Sequence, residues 1–343
     1  MDTESASSQL VFERDDLLSD HEFDQPQIIA GKRLHGGFVG GTYCSPRSLG
    51  RSRAIAAWRT ALESRGGTPL DADASLLTGV RLPTAEQQMV LVRNGLDQTF
   101  WNSLTIIGKI EAKGRLLAEM EFPDLQPWIV EDISEMAIGH LGKGLLLAHG
   151  LDEGGLPAEG IGGHDEMWFV ARDLAFGPDA HDDVEPPENI GRPVSEDKVD
   201  LGLSPQVEGL VSFLANLLII EFRAELGFAE TQAVLRCPEL FSDRRTEAEL
   251  AAEIVERIRT DELIHVESLC LYLGEFRTVT FRTETGDLVS GAQLIDSFWA
   301  DLVHWASVEQ PKLAAEQQRQ IIVDRISAHS DAERVLREFH AAA

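Results

Sequence analysis

The sequence predicts an all-α protein: a four-helix bundle with one long crossover, an irregular N-terminal arm, a small β-hairpin and extra C-terminal helices. Two observations point there. Apolar residues recur at three- and four-residue spacing over long stretches between residues 83 and 275. Breaks rich in Pro and Gly cut that stretch into four helical lengths, and a long acidic interval separates the second from the third. The organisation that follows is an arm over residues 1–82, a bundle over 83–275 with an acidic crossover at 151–203, and a hairpin with helices over 276–343.

Each element has its own signal. The arm holds Gly-rich and Pro-containing pieces (His35-Gly36-Gly37-Phe38, Gly40-Gly41, Ser45-Pro46) and one short helix near Ile55–Ser64, ended by Gly66-Gly67. It either packs over the main domain or reaches a second subunit in a homodimer. Leu82-Pro83-Thr84 opens the first long helix, which the spacing carries to Met120, and Phe122–Pro127 breaks it. The second is expected from Trp128 to His149-Gly150. Residues 151–200 carry 14 acidic residues against three basic ones, with order expected only over Glu166–Leu174. Ser204-Pro205 starts the third helix, which runs to about Arg236. Thr246 with Glu249 forms a capping box for the fourth, which reaches about Leu273. Alternation over Arg277–Arg282, a turn at Thr285-Gly286-Asp287 and Leu288–Ser290 make the hairpin. Helices near 292–309 and 311–328 and a short one after Asp331 complete the chain.

Charge narrows the function. Thirty Lys and Arg against 58 Asp and Glu leave a formal charge of −28, which repels nucleic-acid phosphates and anionic lipid surfaces. No apolar run reaches the ~18–20 residues of a bilayer span, and the polar, acidic start lacks the character of a secretion signal. Three widely spaced cysteines, Cys44, Cys237 and Cys270, make no disulfide framework. The expectation is a cytoplasmic protein without nucleic-acid or membrane partners. Phosphate-loop, dinucleotide, serine-hydrolase and zincin motifs are all lacking.

The chemistry is suggested by acids in apolar surroundings. Glu221 interrupts Leu217-Leu218-Ile219-Ile220-Phe222, and an unpaired buried carboxylate must be protonated, paired or bound to a cation. On the fourth helix the stripe Val255, Ile258, Leu269 contains Glu262 and His265, whose i, i+3 spacing turns both to one face. With the intervening turn centred near residue 241.5, position 221 falls opposite 262. The first hairpin, centred near 123.5, sets Glu111 beside Glu135, with His140 further along the second helix. Each hairpin thus offers two carboxylates at matching height and one imidazole.

This pattern resembles the ferritin-like di-iron carboxylate superfamily, in which two helices give one Glu each and two give Glu-x-x-His. The resemblance matches Glu111 and Glu221 to the single glutamates and Glu262 with His265 to one motif, over residues 84–275. Helix two departs: Ile138 stands where the second His belongs, and Glu135 and His140 point about 140° apart on an ideal helix. Either irregular backbone brings His140 in, or Glu135 acts without it, or Glu131 and Asp132 take part. The resemblance implies two iron ions, manganese being an alternative, held by Glu111, Glu135, His140, Glu221, Glu262 and His265. It also implies an oxidase or oxygenase that uses dioxygen on a small organic substrate, with electrons from the substrate or a donor protein. The acidic crossover would then gate the substrate. The alternatives are a ferroxidase or metal-handling protein, and a non-catalytic helical interaction protein whose buried acids pair with Arg115, Arg223 or Arg257. Three further groups read more simply as structure: His149 as a helix C-terminal residue, His164-Asp165-Glu166 as solvated loop charge, and Asp301 with His304 as a surface or packing pair.

Overall fold

The structure, a computed structural model, describes residues 10–79, 81–187, 190–192 and 201–343. It is mostly helical, with two small sheets. In chain order the elements are α1 (Arg14–Leu17), β1 (Gln25–Ile29), β2 (Lys32–Val39), β3 (Thr42–Cys44), α2 (Ser48–Ser64), α3 (Ala85–Arg93), α4 (Gln98–Gly114), α5 (Leu145–Gly154), β4 (Ile161–Gly162), α6 (His164–Phe176) and α7 (Pro205–Arg236). Then follow α8 (Arg245–Thr278), β5 (Thr280–Arg282), β6 (Leu288–Ser290), α9 (Gly291–His304), α10 (Gln310–Ser327) and α11 (Ala332–Ala341). Among the described residues, no helix is long and apolar enough to cross a membrane.

The antiparallel pair α7 and α8 is the spine, and its ends lie where local chemistry sets them. Ser204 Oγ accepts from the Val207 N–H, and Pro205 takes the first helical position, where its missing N–H is harmless. Between the two helices the Arg245 guanidinium bonds the carbonyls of Leu235 and Cys237. That satisfies helix-end acceptors which would otherwise lack partners.

Two apolar cores form along this spine. Towards the α7–α8 turn, Phe228 and Leu235 meet Val255 and Ile258, with Phe100 and Leu104 of α4 and Met167 and Trp168 of α6. Towards the other end, Leu214 and Leu218 meet Leu269 and Leu273, with Trp58 of α2 and the 125–146 segment. Glu221, Glu262 and His265 sit on the spine between the two cores. Polar side chains placed there have little water and few routes to it.

Several expectations are corrected. The first helix divides at Asn94-Gly95, where Gly95 has φ +71°, a left-handed value glycine adopts freely. The second long helix does not form. Residues 125–144 run as 3₁₀ turns and bends, and only α5 is α-helical. Gly139 explains part of this: a Cβ there would lie 2.1 Å from the Ile133 carbonyl oxygen, so the chain is packed too closely for helical stacking. The arm is more regular than its composition suggests. It forms the antiparallel sheet β1–β2–β3, and β2 pairs in parallel with β4, between α5 and α6 of the same chain. The acidic crossover likewise opens with ordered structure, since α5, β4 and α6 all precede residue 177. The third and fourth helices, the hairpin and the C-terminal helices lie close to where the spacing puts them, with a π-helical turn over 305–309 joining α9 to α10.

Candidate metal centre

Seven buried ligand-type side chains converge between the two cores. They form two groups within which one ligand atom per residue lies within 4.8 Å of every other: His149, Glu153, Glu221 and His265, and Glu111, Glu153, His164 and Glu262. Glu153 belongs to both. Its Oε1 lies 3.5 Å from each of His149 Nε2, His164 Nδ1 and His265 Nδ1. His149 Nε2 is also 3.0 Å from Glu221 Oε1, and His164 Nδ1 is 3.2 Å from Glu262 Oε1. Donors around one ion at bonds of about 2.1 Å stand roughly 3–4 Å apart, and the separations of 3.0–3.5 Å within these groups fall in that range.

Close backbone approach makes the convergence possible. Glu111 lies in the last turn of α4, and Gly114 follows it; a Cβ on Gly114 would lie 2.6 Å from Glu153 Cγ. Gly150 leaves room for the Leu117–Ala118 backbone, which a Cβ would approach to 2.4 Å at the Ala118 nitrogen. On the other side, Gly155 and Gly163 press together, each leaving no space for a side chain. They hold the end of α5, with Glu153, against the start of α6, with His164. Gly155 and Gly163 of the crossover therefore serve packing. Gly114→Ala is expected to displace Glu153 and lower bound metal per chain at least twofold, read by elemental analysis, with helicity unchanged by circular dichroism.

A second layer orients the imidazoles. His265 Nε2 lies 3.1 Å from Asp152 Oδ2, and His164 Nε2 lies 3.2 Å from Asp261 Oδ2. In each case the opposite nitrogen, Nδ1, faces the glutamates. Carboxylates behind metal-binding histidines commonly fix tautomer and ring direction in this way. Asp152 is held in turn by Arg51 at 2.7 Å and by Arg47, and Asp261 by His35 at 3.1 Å and the Tyr43 hydroxyl at 2.9 Å. All four supports come from residues 35–51, so the arm completes the back wall of the cluster.

The electrostatics are those of a site that wants positive charge. Burial and the charge of Glu153 push Glu111 well above the usual carboxylate range. Burial and the charge of Glu262 push Glu221 up to about 7. Burial opposes protonation of His265, but the charge of Glu262 and bonds to Asp152 and Glu262 override it and push the imidazole up to about 10. Burial also opposes ionisation of Asp152, yet Arg51 and Arg47 hold it well below its ordinary value. The protons held by His265 and Glu221 offset buried negative charge, and a metal ion bound by such ligands would displace them. Among the described residues, no Lys or Arg lies within ion-pair distance of Glu111, Glu153, Glu221 or Glu262. Arg115 bonds the Gly155 carbonyl, Arg223 that of Ile190, and Arg257 reaches Gln27 and Glu253. The guanidinium pairs expected of a purely structural network are therefore made elsewhere.

Four expected residues meet in the cluster: Glu111, Glu221, Glu262 and His265. Two do not. Glu135 is exposed, and His140 is buried against the Trp58 ring with Nδ1 on the Met136 carbonyl. The helix that was to carry them is absent, so neither side chain is directed inward at this height. Glu131 bonds Thr280, and Asp132 caps Ser134. His149 and His164, read as a helix end and as loop charge, are instead buried in the cluster, and Glu153 was not singled out. A signal was present: Asp-Glu occurs at 152–153 with His149 four residues before the Glu, and at 261–262 with His265 three residues after it. Compared with protein-family models, curated proteins and solved structures, the chain matches none of them.

Proposed function

We propose that the chain is a dinuclear metal protein, iron first, that uses dioxygen to oxidise a small organic substrate. The observation that carries this reading is Glu153 shared between two four-residue donor groups. Four glutamates supply four negative charges, and two divalent ions would cancel them where no lysine or arginine does, taking the place of the protons that the imidazoles and Glu221 otherwise hold. One divalent ion would leave two buried charges uncompensated, which is expensive in a low-dielectric interior. A carboxylate-dominated set with three imidazoles suits hard-to-borderline ions such as iron or manganese. In helix roles, α4, α7 and α8 supply what the ferritin-like arrangement assigns to three of its helices. The fourth contribution is divided between α5 and α6. When bound, the ions would supply the redox chemistry. The protein's part is to hold them, orient three imidazoles and keep water away with the apolar cores on either side.

The test is direct. Metal-free protein titrated anaerobically with ferrous iron should bind two ions per chain. Exposure to air should then give a charge-transfer absorption that is lost on chelation. Binding of one ion, or of none, would sink the dinuclear reading. Iron oxidation that continues through many turnovers, with a ferric product released, would move the function to metal handling.

A further inference from the structure

A cleft of about 430 Å³ opens between α4 and α7, closed by α3 and α10. That volume is in the range of small-molecule sites. It follows α7 from Arg223 to Val234, about 16 Å at 1.5 Å per residue. One end is level with the metal centre, since Ile107 lies one turn before Glu111 and Arg223 two residues after Glu221. Its walls are largely apolar, with Phe100, Ile106 and Ile107 on one side and Leu226 and Val234 on the other.

Two side chains in this wall carry buried polar atoms without a hydrogen bond among the described residues. Gln88 is only 5% exposed, yet among the described residues neither its amide oxygen nor its amide nitrogen makes a hydrogen bond. Arg223 lies over the Trp305 ring at 5.0 Å and donates through Nη1 to the Ile190 carbonyl at 3.0 Å, while its buried Nη2 makes no hydrogen bond among the described residues. The neighbouring Arg81 differs, being paired with Glu230 at 2.7 Å. Buried polar atoms are nearly always satisfied, and an orphaned amide and guanidinium in one cleft are complementary to a ligand.

We propose that the cleft binds an apolar carboxylate carrying a second, uncharged hydrogen-bonding group, with the carboxylate on Arg223 and the uncharged group, such as an amide, on Gln88. A guanidinium recognises a carboxylate through charge-assisted bonds, and an amide side chain pairs best with another amide, giving and accepting at once. The apolar body lies along α4 and α7. That this ligand is also the molecule oxidised rests on the dinuclear reading above; the binding itself does not.

Isothermal titration of the metal-free full chain with N-decanoylglycine tests the proposal, with its methyl ester lacking the charge and dodecanoate lacking the amide. Saturable one-to-one binding is expected, roughly tenfold weaker for the ester and for Arg223→Gln, and largely retained in Arg223→Lys. Gln88→Leu should weaken N-decanoylglycine about fivefold and leave dodecanoate unchanged. Leu226→Trp, which fills the cleft, should abolish binding in a protein of unaltered melting temperature. No saturable binding to the wild type, or equal affinity across these variants, overturns the proposal. Iron uptake is measured on the same samples. Binding without iron uptake leaves the cleft standing and removes the metal reading, whereas iron uptake without binding does the reverse.

Discussion

Glu153→Ala should strip both metal ions from the protein, taking occupancy from about two per chain to near zero. No other single glutamate substitution should match it, because Glu153 alone belongs to both donor groups. Glu111→Ala should leave one ion, since Glu111 belongs to a single group. The contrast between the two variants, read by elemental analysis on protein reconstituted under identical conditions, is the informative quantity. The metal-loaded wild type should also melt on the order of 10 °C above its chelated form, because a ligand at a thousandfold its dissociation constant adds about 4 kcal/mol. That difference should vanish in Glu153→Ala. Equal occupancy in the two variants would remove the bridge. Full occupancy in both would remove the site.

Glu221→Gln should have opposite effects in the metal-free and metal-loaded states. In the metal-free protein Glu221 holds its proton up to about pH 7, against an ordinary value of 4.5, because of burial and the charge of Glu262. Between those limits the folded state carries a proton that the unfolded chain has released. This residue's contribution to stability is therefore complete at low pH and lost as pH rises from about 4.5 through 7. Gln removes the titration while keeping an acceptor for His149, which stands 3.0 Å from Glu221. Urea unfolding of chelated samples should show no gain for the variant near pH 4.5 and a gain on the order of 3 kcal/mol above pH 7. Loaded with metal, the variant should be the less stable form, since it has lost a charged ligand. A variant destabilised equally at every pH, with unchanged metal content, would mean that Glu221 is held by its neighbours for structure alone.

Four of the seven cluster residues were legible in the amino-acid order, for a reason visible in particular residues. Glu221, Glu262 and His265 lie on α7 and α8, two long uninterrupted helices joined by a short turn. There, periodicity decides which way a side chain faces, and counting from the turn decides which residues are level. Glu111 was reached by the same count, through its place near the end of α4 rather than through the partner it was given. Glu135 and His140 failed because residues 125–144, although apolar at helical spacing, run as 3₁₀ turns and bends, with Gly139 packed against the Ile133 backbone. His149, Glu153 and His164 were missed because their meeting depends on glycine contacts between segments distant along the helix path.

What the sequence determined alone was the helical class, the α7–α8 spine, the capping of α7 and the placing of acids within apolar stripes. These rest on interactions between residues a few positions apart, which order along the chain specifies. The tertiary structure decided which carboxylate is shared, which nitrogen of each imidazole faces inward, and that Arg47, Arg51, His35 and Tyr43 of the arm stand behind Asp152 and Asp261. The contacts of the arm join residues more than a hundred positions apart, as Arg47 and Asp152 are. They exist only once two apolar cores have closed on either side and left these polar side chains nowhere to turn but towards one another.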